Sequence, residues 1–121
     1  MGRTTEIGAK GERIAMKYLR QNGFLIRDLN WRCGRYELDI VAERDGVIHF
    51  VEVKTRSSGG WSTPEAAMTK SKFLSIRHAA TAYLAQIRFR GEHQFDLIAV
   101  EMQDDEALEV RYIEKAMQSS W

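Results

Sequence analysis

The sequence predicts an α/β fold, a mixed sheet with helices on both faces. Two segments repeat apolar residues at helical spacing, and five shorter segments are rich in apolar, aromatic and β-branched residues. They follow one another in the order α-β-β-β-α-β-β, which suits a sheet that must bury both of its faces.

Residues 5–22 read as an amphipathic helix. Ile7, Gly11, Ile14, Ala15 and Tyr18 recur along one face, and Gly23 is placed to end it. Glu12 sits at the margin of that stripe, on the side of Gly8, Ala15 and Leu19. Phe24 to Arg32 predicts a first strand, closed by a turn at Cys33-Gly34. Glu37–Ala42 and Val47–Lys54 form the strongest strand pair, and the Asp45-Gly46 between them is a hairpin turn sequence. Thr55 to Thr63 is polar and Gly-rich and predicts a loop, with Ser57–Ser62 its least ordered part. Pro64 starts helical material, with a new cap near Thr69. The main helix then buries Phe73, Ile76, Ala80, Tyr83, Leu84 and Ile87. Phe95–Glu101 and Leu108–Ile113 predict two last strands joined through an acidic turn.

Composition narrows the function classes. A length of 121 residues suffices for one core and not for two, so a single domain over 1–121 is expected. Hydrophobic residues at 44% and charged residues at 29% suit a globular protein. No apolar run nears the ~18 residues of a membrane span, and Met1–Lys10 lacks a secretory h-region. The lone Cys33 excludes an internal disulfide and a cysteine zinc cage, so a reducing cytoplasmic setting with no membrane partner is expected. Net charge is +1, but residues 1–35 hold eight Lys and Arg against three acids. That asymmetry either attracts a polyanion or is one helix's solvated face.

Charged residues inside otherwise apolar strands are the informative anomaly. Glu37 and Asp39 share one strand face, and Glu52 and Lys54 share one on the next. If Asp45-Gly46 is a two-residue turn, Asp39 lies opposite Glu52 and Glu37 opposite Lys54; a four-residue loop keeps the same faces, and a three-residue loop would separate them. Two carboxylates paired this way lie ~4.5–5.5 Å apart at Cβ and repel each other. A hard divalent cation between them removes the repulsion, with Lys54 one pleat away to stabilise charge on a phosphate. The alternative is a Glu37–Lys54 ion pair with Asp39 capping a strand end, which leaves Asp39 against Glu52 unexplained.

Asp39 followed by Glu52-Val53-Lys54 resembles the D…E-x-K signature of restriction-endonuclease-like nucleases. With Gly11-Glu12-Arg-Ile-Ala, Glu37-Leu-Asp39-Ile-Val and Phe50-Val-Glu52-Val-Lys54-Thr-Arg56, the chain resembles the YraN family of uncharacterised bacterial proteins, itself similar to archaeal Holliday junction resolvases. The likeness runs from about Ile7 to Val100 with the elements in the right order. It implies a restriction-endonuclease-like three-layer domain. It also implies Mg²⁺ (or Mn²⁺) on Asp39, Glu52 and the Val53 carbonyl, Glu12 reaching the same site, and Lys54 as catalytic residue. The family usually has Gly before the first strand acid; here Tyr36 precedes Glu37, which narrows access to the site.

Lys70, Lys72, Trp61 and Arg56 are the candidate nucleic-acid contacts. Lys70 and Lys72 open a helix, where the macrodipole disfavours cations, so they either serve a phosphate or are tolerated at a surface. Trp61 either stacks on an unpaired base or anchors its own loop. Asp96 is read as a strand-edge acceptor outside the site, and His49, His78 and His93, lacking ligand spacing, as incidental. Together these features predict a metal-dependent endonuclease acting on DNA, branched DNA among the candidate substrates, with a homodimer doubling the basic surface. The rival classes are a non-cleaving nucleic-acid-binding module and a structural partner protein contacting others through Trp61 and Trp121.

Overall fold

A stripe of apolar residues at helical spacing folds Glu6–Gln21 into helix α1, and Gly23, at φ +84°, turns the chain into the sheet. The structure is a computed structural model that describes residues 6–57 and 68–117. Among the described residues five strands follow with one helix among them: β1 (Leu25–Cys33), β2 (Tyr36–Arg44), β3 (Val47–Ser57), α2 (Lys70–Ile87), β4 (His93–Gln103) and β5 (Glu106–Ile113). The expected order α-β-β-β-α-β-β is realised.

The sheet runs β1-β2-β3-β4-β5, with β3 and β4 parallel and every other pair antiparallel. A parallel pair needs a crossover, and α2 lies within it. Ala15 and Leu19 of α1 pack with Ile40, Ala42, Val51, Ile98 and Val100. Phe73, Ile76, Ala80 and Tyr83 of α2 pack with Val41, Ile48, Phe50 and Leu97. Alternate strand residues therefore serve opposite helices, which makes three layers of the restriction-endonuclease-like kind. Leu84 and Ile87, expected in the core, are only partly buried against it.

Asp45 and Gly46 take φ of +54° and +78°, the backbone a two-residue hairpin needs. Two boundaries differ from the sequence reading. Cys33 pairs with Tyr36, so the first hairpin turns at Gly34-Arg35 and not at Cys33-Gly34. Thr55, Arg56 and Ser57 are strand, not loop, because β4 offers them Val100, Glu101 and Met102 as parallel partners. The rest of the expected loop, with Trp61 and Pro64, lies outside the described residues, as does Trp121. Thr69 caps α2 as expected, its hydroxyl accepting from the Lys72 N–H.

Asp96 and His49 also depart from expectation. β4 is flanked by β3 and β5, so Asp96 is no edge residue; it is fully buried at 0% exposure. One of its oxygens meets His49 Nδ1 at 2.6 Å and accepts from the Tyr112 hydroxyl, while the other accepts from the Lys115 N–H and Gln94. Burial works against its charge, but these hydrogen bonds outweigh it and hold the carboxyl below its ordinary range. The network ties β3, β4, β5 and the residues after β5 together. Among the described residues no helix is long and apolar enough to cross a membrane.

α1 lies so close to β3 that a Cβ on Gly11 would sit 1.9 Å from Thr55 Oγ1. Gly11→Ala gains helix propensity of up to ~1 kcal/mol but forces an overpacking cost of ~1–3 kcal/mol, so a lower melting temperature is expected. Thr55→Ala in the same chain restores only part of it, since the residue 55 Cβ itself stands 2.9 Å away. Thermal melts of the single and double variants check both statements; a Gly11→Ala chain as stable as the parent contradicts the packing.

Candidate functional site

The β2–β3 ladder runs from Arg44 opposite Val47 to Ile40 opposite Val51, the register expected from the Asp-Gly turn. Beyond that point the ladder stops. Asp39, next on β2, uses its own carboxylate to accept the Val53 N–H at 2.9 Å. A side chain thus replaces the backbone acceptor, and the two strands fork. β2 stays paired to β1 through Trp31 opposite Leu38 and Arg32 opposite Glu37. Side-chain alternation shifts here too: Ile40 packs with the α1 cluster, but Leu38 packs with the α2 cluster. Asn30, the β1 residue between Leu29 (opposite Ile40) and Trp31 (opposite Leu38), takes a left-handed φ of +50°.

Glu52 faces Asp39 across the fork and is only 5% exposed. Burial first, then the charge of Asp39, push its carboxyl up to about 8, against the opposing pull of Lys72 and Lys54. Lys72, from the first turn of α2, sets its Nζ 3.2 Å from Glu52 Oε2. Glu12 approaches from α1. Its carboxyl is also raised, by burial and then by Asp39 and, less, Glu37, while an Asn30 hydrogen bond of 3.4 Å opposes the shift. A cavity of about 320 Å³ opens on the carboxylates, lined by Arg35, Tyr36, Glu37, Asp39, Glu52, Lys72, Ser75 and Ile76.

The structure therefore brings Asp39 and Glu52 together and sets Lys54 within electrostatic reach of Glu52. It does not form the Glu37–Lys54 ion pair; Glu37 lies 3.6 Å from Arg32 instead. The Val53 carbonyl was the expected ligand, whereas the group engaged here is its N–H. Among the described residues no three His, Cys, Asp or Glu side chains are set to hold a metal ion as they stand. Glu12 is turned to Asn30, and the Lys72 ammonium provides Glu52 with a counter-charge. The donor chemistry nevertheless fits a hard divalent cation: two carboxylates forced together, one buried and held toward its protonated form, with a third close by.

Of the candidate nucleic-acid contacts, Lys72 belongs to the carboxylate site, and Lys70 lines an adjoining groove. Arg56 is not part of the cavity. Its guanidinium reaches Glu101 at 3.8 Å, and among the described residues its buried Nε and Nη1 have no hydrogen-bond partner. Trp61 lies outside the described residues. Sequence reasoning missed Asn30, Arg35 and Ser75; only the hydrogen-bonding character of Asn30 opposite Asp39 offered a signal. It also missed His78, whose ring packs on Tyr36 at a 41° tilt with centroids 4.2 Å apart.

The description of uncharacterised protein family UPF0102 matches residues 11–100, a span holding Glu12, the fork and Lys72. The chain belongs to that family. A UPF0102 protein of Bacteroides thetaiotaomicron is 41% identical over 100 residues, covering 83% of each chain. One of Chlorobaculum parvum is 46% identical over 95 residues, covering 78% of this chain and 74% of its own. A third, of Myxococcus xanthus, is 41% identical over 96 residues, covering 78% and 76%.

The raised Glu52 carboxyl has a consequence for stability. An acid whose pKa is higher folded than unfolded binds its proton more tightly in the fold, so its stabilisation is greatest at low pH and lost as pH rises. For Glu52 the window runs from the ordinary 4.5 to about 8. The metal-free protein should lose melting temperature across that window. Glu52→Gln should flatten the slope, leaving a residue of it from Glu12. An unchanged slope in Glu52→Gln contradicts the assignment.

Proposed function

We propose that this chain is a metal-dependent endonuclease that hydrolyses phosphodiester bonds in DNA, with Asp39 and Glu52 holding Mg²⁺ or Mn²⁺. The observation that supports it is the carboxylate pair at the fork, with a lysine beside it. The Val53 N–H accounts for Asp39, but no backbone group accounts for a second, buried acid facing it, and the pairing is costly without a cation.

Asp39 is fixed by the Val53 N–H, so one of its oxygens is oriented before anything binds. Glu52, buried, gives up its proton on taking part in a cation site. A bound divalent ion supplies Lewis-acid stabilisation of the phosphate and a more acidic water. Lys54 holds its ammonium where negative charge develops on the scissile phosphate. Glu12, on the α1 side, orients the attacking water, and Lys72, released from Glu52, is left to a phosphate oxygen. A homodimer belongs to the same reading, since two copies double the basic surface and present two sites to a branched duplex.

A second reading, a nucleic-acid-binding module that does not cut, is favoured by one observation. The Lys72 ammonium already stands 3.2 Å from Glu52, beside the place a cation would take, which can be a resting arrangement in its own right.

Incubating the protein with linear, flapped and four-way DNA and with RNA, with Mg²⁺ or Mn²⁺ against a chelator, separates the two. Metal-dependent cutting is expected on at least one DNA, with Asp39→Asn losing it. Lys54→Ala should still bind metal yet cut about a hundredfold more slowly or worse. Undiminished cutting by Lys54→Ala would sink the mechanism. Binding without cutting on every substrate would favour the module.

A further inference from the structure

Next to the carboxylates a second groove, about 520 Å³, is lined by Tyr36, Lys70, Ser71, Leu74, Ser75 and His78. Tyr36 and Ser75 also line the carboxylate cavity, so the two spaces adjoin. Their chemistry differs. The inner cavity is acidic, whereas the groove carries an ammonium, two serine hydroxyls, a tyrosine and flat apolar surfaces. Tyr36 and His78 set their rings 4.2 Å apart with a 41° tilt. The Arg35 guanidinium lies 5.2 Å from the Tyr36 ring centroid and donates to its hydroxyl at 3.0 Å. Leu74 is 42% exposed beside them. Lys70 stands at one end of the groove and Lys72 at the carboxylates.

We propose that this groove seats an unpaired nucleotide of a single-stranded nucleic acid, next to the bond presented to Asp39 and Glu52. The inference rests on the nucleic-acid part of the preceding reading and adds which form of nucleic acid is bound.

A nucleotide joins a flat apolar base to an anionic phosphate, and the groove offers a partner for each. The base lies against the exposed His78 ring, which Tyr36 backs with Arg35 over its own ring, and the phosphates run between Lys70 and Lys72. A duplex hides its base faces in the stack, so only an unpaired base can use those rings. Charge points the same way. Duplex affinity comes largely from many phosphate contacts that release counterions. A chain of net charge +1 is poorly equipped for that, so local stacking has to supply affinity. The groove also falls within the ~300–1,000 Å³ common for small-ligand sites. That volume suits one or two nucleotides better than a duplex.

The test uses the full chain with a chelator present, so that cutting plays no part. Fluorescent oligo-dT and oligo-rU of about a dozen nucleotides, and a duplex of the same length, are titrated by anisotropy. Single strands are expected to bind more tightly than the duplex, and comparing dT with rU separates DNA from RNA. Tyr36→Ala and His78→Ala should each weaken single-strand binding about tenfold and leave duplex binding unchanged. Tyr36→Phe keeps the ring and should bind as the parent does. His78 is exposed, so its substitution leaves the core intact if Tyr36→Ala proves unstable. Equal affinity for single strand and duplex overturns the proposal, as does unchanged single-strand binding in His78→Ala, or no binding of either form. Failure of cleavage with this stacking pattern intact would remove the nuclease and leave the seat; cleavage without the pattern would do the reverse.

Discussion

One hydrogen bond, from the Val53 N–H to the Asp39 carboxylate, sets the geometry on which the site depends. A buried N–H at the end of a ladder must find an acceptor. Here a side chain provides it, so β2 no longer has to follow β3. The strand keeps its pairing with β1, its side-chain alternation shifts, and the carboxylate stays at the fork opposite Glu52. Asp39 therefore has two tasks. It closes the backbone account for β3 and contributes half of an acidic pair.

The fork gains its remaining members from both layers of helices. Gly11 lets α1 approach Thr55 closely, and the next residue, Glu12, is carried near Asp39. Thr69 caps α2 through the Lys72 N–H, and the Lys72 side chain extends to Glu52. Three carboxylates near one another demand positive charge, and without a metal Lys72 provides part of it. Farther along the sheet, Asp96 holds His49, Tyr112 and the Lys115 N–H in one buried network. That anchor fixes β3 between its neighbours.

Much of this was legible in the sequence, for identifiable reasons. Asp45-Gly46 dictates a two-residue turn, and the turn dictates the register that sets Asp39 against Glu52. The helical stripes of α1 and α2 show plainly because each buries one face. What could not be read depends on partners distant in the chain. The polar run Thr55-Arg56-Ser57 looks like a loop until β4 pairs with it. Asp96 looks like an edge residue until β5 covers it, and His49 looks idle until Asp96 meets it. Lys72 reads as either a phosphate contact or a tolerated surface cation, because a cation in a helix's first turn is out of place; its Glu52 partner lies on another element.

In the proposed function Asp39 and Glu52 form a cation site, and burial and the neighbouring Asp39 favour the protonated form of the Glu52 carboxyl until the cation binds. Calorimetric titration of Mn²⁺ at about pH 7, repeated in buffers of different ionisation enthalpy, tests it most directly, because metal binding must expel any ligand proton. With the Glu52 carboxyl raised to about 8, the parent protein should release close to one proton per Mn²⁺ bound, and Glu52→Gln should lose the binding. Binding without proton release, equal affinity in Glu52→Gln, or no binding by the parent would contradict it.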